Sequence, residues 1–517
     1  MAKKIDIPKE ILEISSKLAE AGFEAYLVGG CVRDIMRGTV HGELVEPKDW
    51  DIATDAKPEE TQKIFPDSVY ENQFGTVLVK IKPPMNAENT LINADNLIRE
   101  DQRQSQRRSA FVVEVTTFRL EGRYTDKRHP DEVVFARTIE DDLSRRDFTI
   151  NAMALRLEKD GPGELIDPYD GMADLVSKMV RTVGDPKQRF NEDALRLLRA
   201  VRFAAELDFQ IEMNTRRVIE REAGLLEMIA KERIRDEFAK IIMSPRAAAG
   251  IITLEEMDLL RYILPELREG LGVPQNKHHI YTVFEHSVRS LDYAAKSGYD
   301  LPVRLAALLH DIGKPKTKGG EGPDATFYSH EMVGAKMAAR ALERLRFSKE
   351  VIERVYHLVR YHMFYYNVDE VSAAGVRRFL NRVGPENVDD LLKVREADRI
   401  GSGVPKAVPY KMRHLLFMIE KVKNDPISPK MLKVNGEDVM ALSGLEPGPR
   451  VGQILYILLE DVLDEPGKNE KEYLENRIKE LNKLKDSDLA ALSEKAREKK
   501  DESQEGIEDE MKKKFHV

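Results

Sequence analysis

KDWDIATDA, Lys48 to Ala56, sets two carboxylates, Asp49 and Asp51, one residue apart in a segment that otherwise reads as a strand. Side chains alternate along a strand, so the two acids point to one face and Trp50 to the other, where it is expected in the core. Like charges side by side repel, and a fold tolerates them best with a cation between them. Alone, Asp-x-Asp is equally a feature of turns and exposed edges, so its meaning rests on its surroundings.

Upstream, EAYLVGG ends a short strand on Gly29 and Gly30, and CVRDIMRG opens a helix. A helix N-terminus preceded by glycines presents bare N–H groups and a positive dipole end, which suits a triphosphate. Arg33 in its first turn adds a donor fork. An ordinary tight turn would read the same way without the acids on the next strand. Two Mg²⁺ ions on such a pair can bridge a triphosphate, activate a ribose hydroxyl and stabilise leaving pyrophosphate. Glu114, in VVEVTTFR, is the natural third acid on the same sheet.

Further out, GTVLVKI, FVVEVTTFRL and EVVFA are strand-like by β-branched content and alternation, which predicts a small α+β domain. From about Asp141 strands fade and helical patterns take over, with a later block centred on RLAALLHDIGK. Two polar stretches read as insertions, TVHGELVEPK before the Asp pair and residues 82–110, which carry Arg103, Arg107 and Arg108 and read as a solvated loop. The final charged stretch reads as solvated helix that frays, without chemistry of its own.

The whole chain bounds these readings. Its 517 residues allow roughly three or four domains. A hydrophobic share of 42% argues for folded cores, and a net charge of −9 excludes a globally basic nucleic-acid binder, so any RNA site must be a local patch. Cys31, the single cysteine, rules out an intramolecular disulfide framework and suits a reducing cytoplasm, the expected location. The N-terminal stretch reads as a short amphipathic helix, not a signal peptide, and no apolar run is long enough for a membrane span. The sequence does not distinguish a monomer from a homodimer.

In order, YLVGGCVRD, KDWDIATDA, VTTFRLEGRYTDKRHPDEVVF, DDLSRRDFTINAMA, DPYDGMADL, VRTVGDPKQRFNEDALRLLRAVRFAAEL and KERIRDEFAKII resemble the class II tRNA nucleotidyltransferases and bacterial poly(A) polymerases, of the polymerase-β-like superfamily. The resemblance covers the first half nearly continuously, the long TVHGELVEPK being its main departure. It implies metal binding by Asp49 and Asp51, and triphosphate binding by Gly29, Gly30 and Arg33. It further implies that Arg145, Arg146, Asp147 and Asn151 face ribose and phosphates. Glu192, Asp193 and Arg196, with Arg199 beside them, would form the protein template for the incoming base. Asp193 and Arg196, at i and i+3, are expected on one helix face, where carboxylate and guanidinium can read the pairing edge of C or A. In isolation the pair is a plain salt bridge.

VFEHSV, LLHDIGK and READRIGSG place His286, His310, Asp311 and Asp398 in a pattern that resembles the HD phosphohydrolase superfamily. Imidazole and carboxylate together suit a divalent transition metal or Mg²⁺, which would activate water against a phosphoester. The other reading is a set of histidines that pack helices. Lys314 would neutralise a phosphate, while His330 and His362 would extend the site toward a second metal or bind phosphate. The resemblance thus implies a polymerase-β-like nucleotidyltransferase head (1–155), an all-α neck and body (156–275), a helical HD domain (276–400), a tRNA-binding body and tail (401–465) and a charged tail (466–517).

The expected function is addition or repair of the tRNA 3′ CCA from CTP and ATP, with Mg²⁺, and a second phosphohydrolase activity. RLEGRYTDKRHP looks like the flexible loop of CCA-adding and A-adding enzymes, and KVNGEDVMALSGLEPGPRVGQIL resembles the segment that holds the tRNA elbow. The alternatives are a poly(A) polymerase, an A-adding enzyme, or a phosphohydrolase with an RNA-binding head.

Overall fold

The computed structural model describes residues 7–42, 47, 49–71, 75–81, 111–121, 133–158, 161–276, 280–364, 366–368, 371, 373–404, 406–423 and 432–496. Two compact units form, Met1–Met363 with Asp390–Pro405 and Phe364–Asp389 with Lys406–Val517. The inserted loop with Arg103, Arg107 and Arg108, most of RLEGRYTDKRHP and the last 21 residues lie outside the described residues.

The first unit starts with α1 (Lys9–Glu20), β1 (Ala25–Val28), α2 (Gly30–His41), β2 (Asp51–Thr54), α3 (Pro58–Ile64), β3 (Val69–Tyr70), β4 (Thr76–Ile81) and β5 (Phe111–Thr117). A two-stranded ribbon, β6 (Arg119–Glu121) and β7 (Val133–Phe135), leads to α4 (Ile139–Ser144). Two further strands, β8 (Ala154–Glu158) and β9 (Gly161–Ile166), complete a seven-stranded mixed sheet of order β3-β4-β5-β2-β1-β8-β9. The helical pattern past Asp141 omits these last two. ALRLE and GPGELI lack β-branched runs, and pairing of β8 along β1 and of β9 along β8 decides their conformation.

Alternation along β2 sorts the sheet's two faces. Trp50 and Ile52 join Leu27, Val113 and Val115 in the core under α1 and α2. Ala53 joins Tyr26, Val28 and Phe118 on the opposite face. Asp51 is therefore carried on the Ala53 face. β2 and β5 run parallel with Asp51 in register with Glu114, while β4 and β5 pair antiparallel up to Ile81 opposite Phe111. Each fully buried Leu, Ile or Phe of such a core contributes ~1.5–3 kcal/mol.

After α5 (Gly171–Val176) and β10 (Met179–Val180) come α6 (Pro186–Glu192) and α7 (Arg196–Leu207). Beyond β11 (Gln210–Ile211), the region continues with α8 (Met213–Glu222), α9 (Lys231–Met243), α10 (Ala247–Glu256), α11 (Leu260–Ile263) and α12 (Pro265–Arg268). α9 packs on α7 through a buried pair, Arg202 Nε to Glu237 Oε2 at 2.6 Å. The next helices are α13 (Val283–Lys296), opened by a Thr282–Glu285 capping box, and α14 (Leu301–Leu309), capped by Asp300 with proline in its first turn. α15 (Lys314–Thr317), α16 (His330–Arg344) and α17 (Lys349–Tyr361) follow; after α18 (Ala373–Val383) of the second unit, α19 (Val388–Gly401) reaches back into the first. Buried Arg304 of α14 donates to Ile242 O (3.0 Å) and Ser244 O (3.1 Å), satisfying orphan carbonyls at the end of α9.

The second unit also contains α20 (Tyr410–Lys423), α21 (Gly436–Ser443), α22 (Pro449–Asp464) and α23 (Lys471–Leu481). Val439, Ile454, Leu458, Leu474 and Ile478, from α21, α22 and α23, share one core with Leu489 of the helical stretch that follows. No helix among the described residues is long and apolar enough to cross a membrane.

Candidate active site and metal centre

Gly29 follows β1 and caps α2 with φ +77°, a conformation that side chains disfavour. A Cβ there would also lie 3.0 Å from Arg146 Nη1 and 3.5 Å from Asp51 Oδ2, so the glycine lets backbone, guanidinium and carboxylate converge. From this point α2 runs with its first N–H groups uncapped and no acid in its first turn. Arg33 Nη1 donates to Asn151 Oδ1 at 2.9 Å, and its Nε to Asp34 Oδ1 at 2.9 Å, so its fork is held before any ligand arrives.

Asp51 opens β2, while Asp49 precedes the strand in an exposed bend. The pair is thus not carried by one regular strand. β2 cannot extend to Asp49 because its ladder with β5 starts at Asp51. Burial raises the Asp51 carboxyl above its ordinary range; Arg146 works against this and Asp49 adds to it. Glu114 sits beside Asp51 in the sheet, yet Asp49, Asp51 and Glu114 do not close into a three-ligand set in this structure. Carboxylate oxygens are still the donors that hard cations take, and a half-buried carboxylate with a second one exposed beside it fits Mg²⁺. Cys31 donates to Val28 O, and burial pushes its thiol up to about 11, so it is no nucleophile.

Arg145 and Arg146 are both drawn to Asp142, a buried acid that pattern reading missed: Arg145 Nη2 lies 2.8 Å from Oδ1 and Arg146 Nη2 3.2 Å from Oδ2. Burial would raise this carboxyl, but the two arginines hold it below its ordinary value. Its signal is present in the sequence, since Asp142 stands i−3 and i−4 to the arginines on α4 and the turn after it. Asp147 is buried against Arg199, with Nε to Oδ2 at 2.7 Å. Arg33, Arg199 and Arg202 gather around Phe203, their guanidinium carbons 5.5, 5.3 and 4.0 Å from its ring centre.

Asp193 and Arg196 do not share one helix. Asp193 is the C-cap of α6 with extended backbone, and Arg196 opens α7. Arg196 Nη1 reaches Glu192 Oε2 (2.7 Å) and Arg189 O (3.1 Å), and its Nη2 reaches Arg145 O (3.1 Å). Asp193 is gripped from α9 by Arg233, which spacing along the chain gave no means of finding.

The second cluster is fully buried. His286 on α13, His310 at the end of α14 and Asp398 on α19 meet Asp311: His286 Nε2 lies 2.9 Å from His310 Nε2, 3.2 Å from Asp311 Oδ2 and 3.3 Å from Asp398 Oδ1. The other oxygen, Asp311 Oδ1, faces His330 Nε2 at 3.3 Å and His362 Nε2 at 3.7 Å. His310, His330 and His362 each set Nδ1 against the carbonyl three residues back, at 2.9, 2.8 and 2.7 Å. That contact fixes the tautomer and leaves Nε2 as a lone-pair donor. The Nε2 atoms of His330 and His362 are buried without a hydrogen bond.

Two groups of potential ligands result, His286–His310–Asp311 and Asp311–His330–His362, sharing Asp311. Nitrogen and oxygen donors with orphaned lone pairs fit a divalent metal. Burial opposes charge on His310, but Asp311 and Asp398 overcome it and push the imidazole up to about 10; burial and His310 push His362 down to about 3. Lys314 Nζ sits 2.6 Å from Asp311 Oδ2 and 2.7 Å from Gln275 Oε1. Gly313 makes the cluster possible: a Cβ there would be 2.3 Å from His330 O and 2.6 Å from Gly334 N, so only glycine admits α16 this close.

Comparison with known proteins agrees with this layout. Residues 25–181 match the poly A polymerase head domain, 208–271 the probable RNA and SrmB-binding site of polymerase A, and 283–401 the HD domain. The A-adding tRNA nucleotidyltransferase of Deinococcus radiodurans is 39% identical over 64% of this chain and 76% of its own. The CCA-adding enzyme of Enterococcus faecalis is 32% identical over 91% of this chain and 96% of its own. Among solved structures, the Bacillus stearothermophilus CCA-adding enzyme in complex with CTP superposes with a TM-score of 0.54 at 27% identity, covering 92% of this chain and 97% of that one. A mixed-sheet head with a glycine turn beside a half-buried aspartate, a helical region that matches the RNA-binding segment of polymerase A and an HD cluster, in one chain similar along its length to such enzymes, make this protein a nucleotidyltransferase of the tRNA nucleotidyltransferase and poly(A) polymerase family.

Proposed function

We propose that the protein adds or repairs the 3′-terminal CCA of tRNA from CTP and ATP, releasing pyrophosphate. The convergence of Gly29, Asp51 and Arg146 at the start of α2 carries this reading, because it sets triphosphate donors against a carboxylate in one place. The similarity along nearly the whole chain to an enzyme named as CCA-adding supports the choice of product.

In this reading the backbone of Gly29 and Gly30 and the fork of Arg33 take the triphosphate. Asn151 and Asp34 keep Arg33 oriented, and Asp142 restrains Arg145 and Arg146 so that no ordering cost falls on the reaction. Asp49 and Asp51 would hold Mg²⁺, with Glu114 in reserve on the neighbouring strand; bound there, the ion would make the ribose hydroxyl a better nucleophile and neutralise the leaving pyrophosphate. Asp193 accepts from the exocyclic amine of C or A, and Arg196 donates to ring acceptors. Asp147 and Arg199 act one layer behind, fixing Phe203 and through it Arg33.

The HD cluster is read as a phosphohydrolase centre for divalent metal, held by His286, His310, Asp311 and Asp398, with His330 and His362 holding a second ion through the shared Asp311. A transition metal suits these imidazoles better than Mg²⁺ does. Bound metal would activate water, and Lys314 would meet phosphate oxygen.

A second reading has its own support. The 39% identical Deinococcus relative is named as an A-adding enzyme, which would make the product a single A after CC. Purified protein with Mg²⁺, labelled CTP or ATP and tRNA transcripts ending before CCA, after C and after CC separates the two. Addition that stops at CCA on all three establishes the first. A added only after CC moves the assignment to an A-adding enzyme, and long A tails on an unrelated RNA move it to poly(A) synthesis.

A further inference from the structure

Against the chain's net charge of −9, α18 and α20 are reversed in sign, with seven Lys and Arg between them and one Glu. The two helices pack together in the second unit. Beside them lies a cavity of about 420 Å³ lined by Phe364, Tyr366, Arg378, Phe379 and Arg382, among others. Arg378 and Arg382, at i and i+4, share one face of α18 and are exposed. Neither has an ion-pair or hydrogen-bond partner among the described residues. This contrasts with Arg354, which takes both Asp300 and Asp390, and Arg477, which takes Asp461 and Glu480. The rings of Phe364 and Phe379, both lining the cavity, stand 5.2 Å apart.

Unpaired guanidiniums on one face repel each other, and an arriving anion relieves that repulsion. Aromatic faces beside them narrow the choice of anion. An acidic peptide would satisfy the arginines and leave the rings without a partner, whereas a nucleotide uses both, its base stacking on a ring and its phosphate taking the forks. The cavity is a pocket between helices, too confined for a duplex and suited to one extruded residue.

We propose that this pocket binds an unpaired nucleotide of the RNA substrate, stacking its base on the Phe364–Phe379 pair and its phosphate against Arg378 and Arg382. The proposal rests on the RNA-substrate reading above and adds a second, base-stacking anchor to it.

The test is filter binding of a labelled tRNA transcript across a salt series, with the full-length wild type, the double variant Arg378→Glu/Arg382→Glu, and Phe379→Ala. Circular dichroism checks each fold, and Phe379→Leu serves if the alanine variant is unfolded. The charge reversal is expected to weaken binding at least about tenfold and flatten the salt slope by about 1, for the one phosphate the two arginines neutralise. Loss of the ring is expected to weaken binding about fivefold or more with the slope unchanged, as for a lost stack. Binding within twofold of wild type in either folded variant overturns the proposal, as does equal weakening of polyglutamate by the charge reversal, which would mark a general anion patch. Nucleotide incorporation by the wild type is measured in parallel. Normal incorporation with unchanged affinity in the variants removes this site alone, while absent incorporation with the expected affinity losses removes the transferase reading and keeps the site.

Discussion

Arg233 grips Asp193 from another helix, its Nη2 2.8 Å from Oδ2 and its Nη1 3.2 Å from Oδ1. A two-pronged guanidinium fixes the plane of a carboxylate as a single contact cannot. The acid assigned to read the base is therefore oriented by α9. Arg233→Ala is expected to lower kcat/KM for CTP and ATP about tenfold, or ~1.4 kcal/mol, and to raise misincorporation of UTP and GTP. Arg233→Lys keeps charge without the fork and should recover only part of that loss. Single-nucleotide incorporation with each of the four triphosphates checks this, and unchanged discrimination in Arg233→Ala would remove the orienting role.

Asp51 is half-buried at the head of its strand, and the metal-holding role proposed for it involves no contact with RNA. Asp51→Ala should abolish incorporation, by about a thousandfold or more, corresponding to the several kcal/mol a Lewis acid supplies. Affinity for tRNA should stay within about twofold. Parallel incorporation and filter-binding measurements decide it; equal losses in both would point to misfolding or to a role in binding.

Glu237 gives the fold an acid limit. Burial raises its carboxyl, but Arg202, Arg199 and Lys240 together hold it below its ordinary 4.5. A depressed carboxylate contributes stability above its unfolded value and loses it as pH falls through the folded one. Glu237→Gln leaves Arg202 short of a buried partner and should cost about 3 kcal/mol at pH 7. The gap between variant and wild-type melting temperatures should shrink once pH drops below about 4.5. A gap that stays constant down to pH 3 would contradict this.

The shared Asp311 makes metal stoichiometry readable by mutation. Wild-type protein loaded with Mn²⁺ or Ni²⁺ and desalted should retain close to two equivalents by elemental analysis. His362→Ala should retain about one, and His310→Ala should lose the ion on its own side of Asp311. None of these changes should alter nucleotide incorporation in Mg²⁺. A single equivalent in the wild type would leave His330 and His362 as phosphate ligands, not metal ligands.

Much of both sites is legible in the sequence because their signals are local. Gly29–Gly30, Asp49–Asp51 and His310–Asp311 each lie within three residues of chain, and a turn or strand end suffices to present them. Trp50 falls in the core as alternation requires. The same rule fails one step away at Asp49, because the ladder that would continue the strand stops at Asp51. Asp193 and Arg196 keep their spacing but lose their common helix, since contacts to Arg233, Arg189 O and Arg145 O favour a break between α6 and α7. Phe203, Arg233 and the Nδ1 anchors of the histidines depend on packing between distant segments, which no local pattern records. β8 and β9 are hidden for a related reason, their strand conformation being imposed by pairing, β8 on β1 and β9 on β8, and not by their own residues.

The last rung of the β4–β5 ladder sets Ile81 opposite Phe111. Chain that departs at one and returns at the other spans only a strand spacing, ~5 Å, so the cost of closing it rises slowly with its length. Asp51 meets β5 side on, at Glu114, and does not depend on how that end of the hairpin is closed. This makes the junction a graft point. A fluorescent domain with neighbouring termini could be spliced between Ile81 and Phe111, giving a working enzyme that reports its own location on RNA.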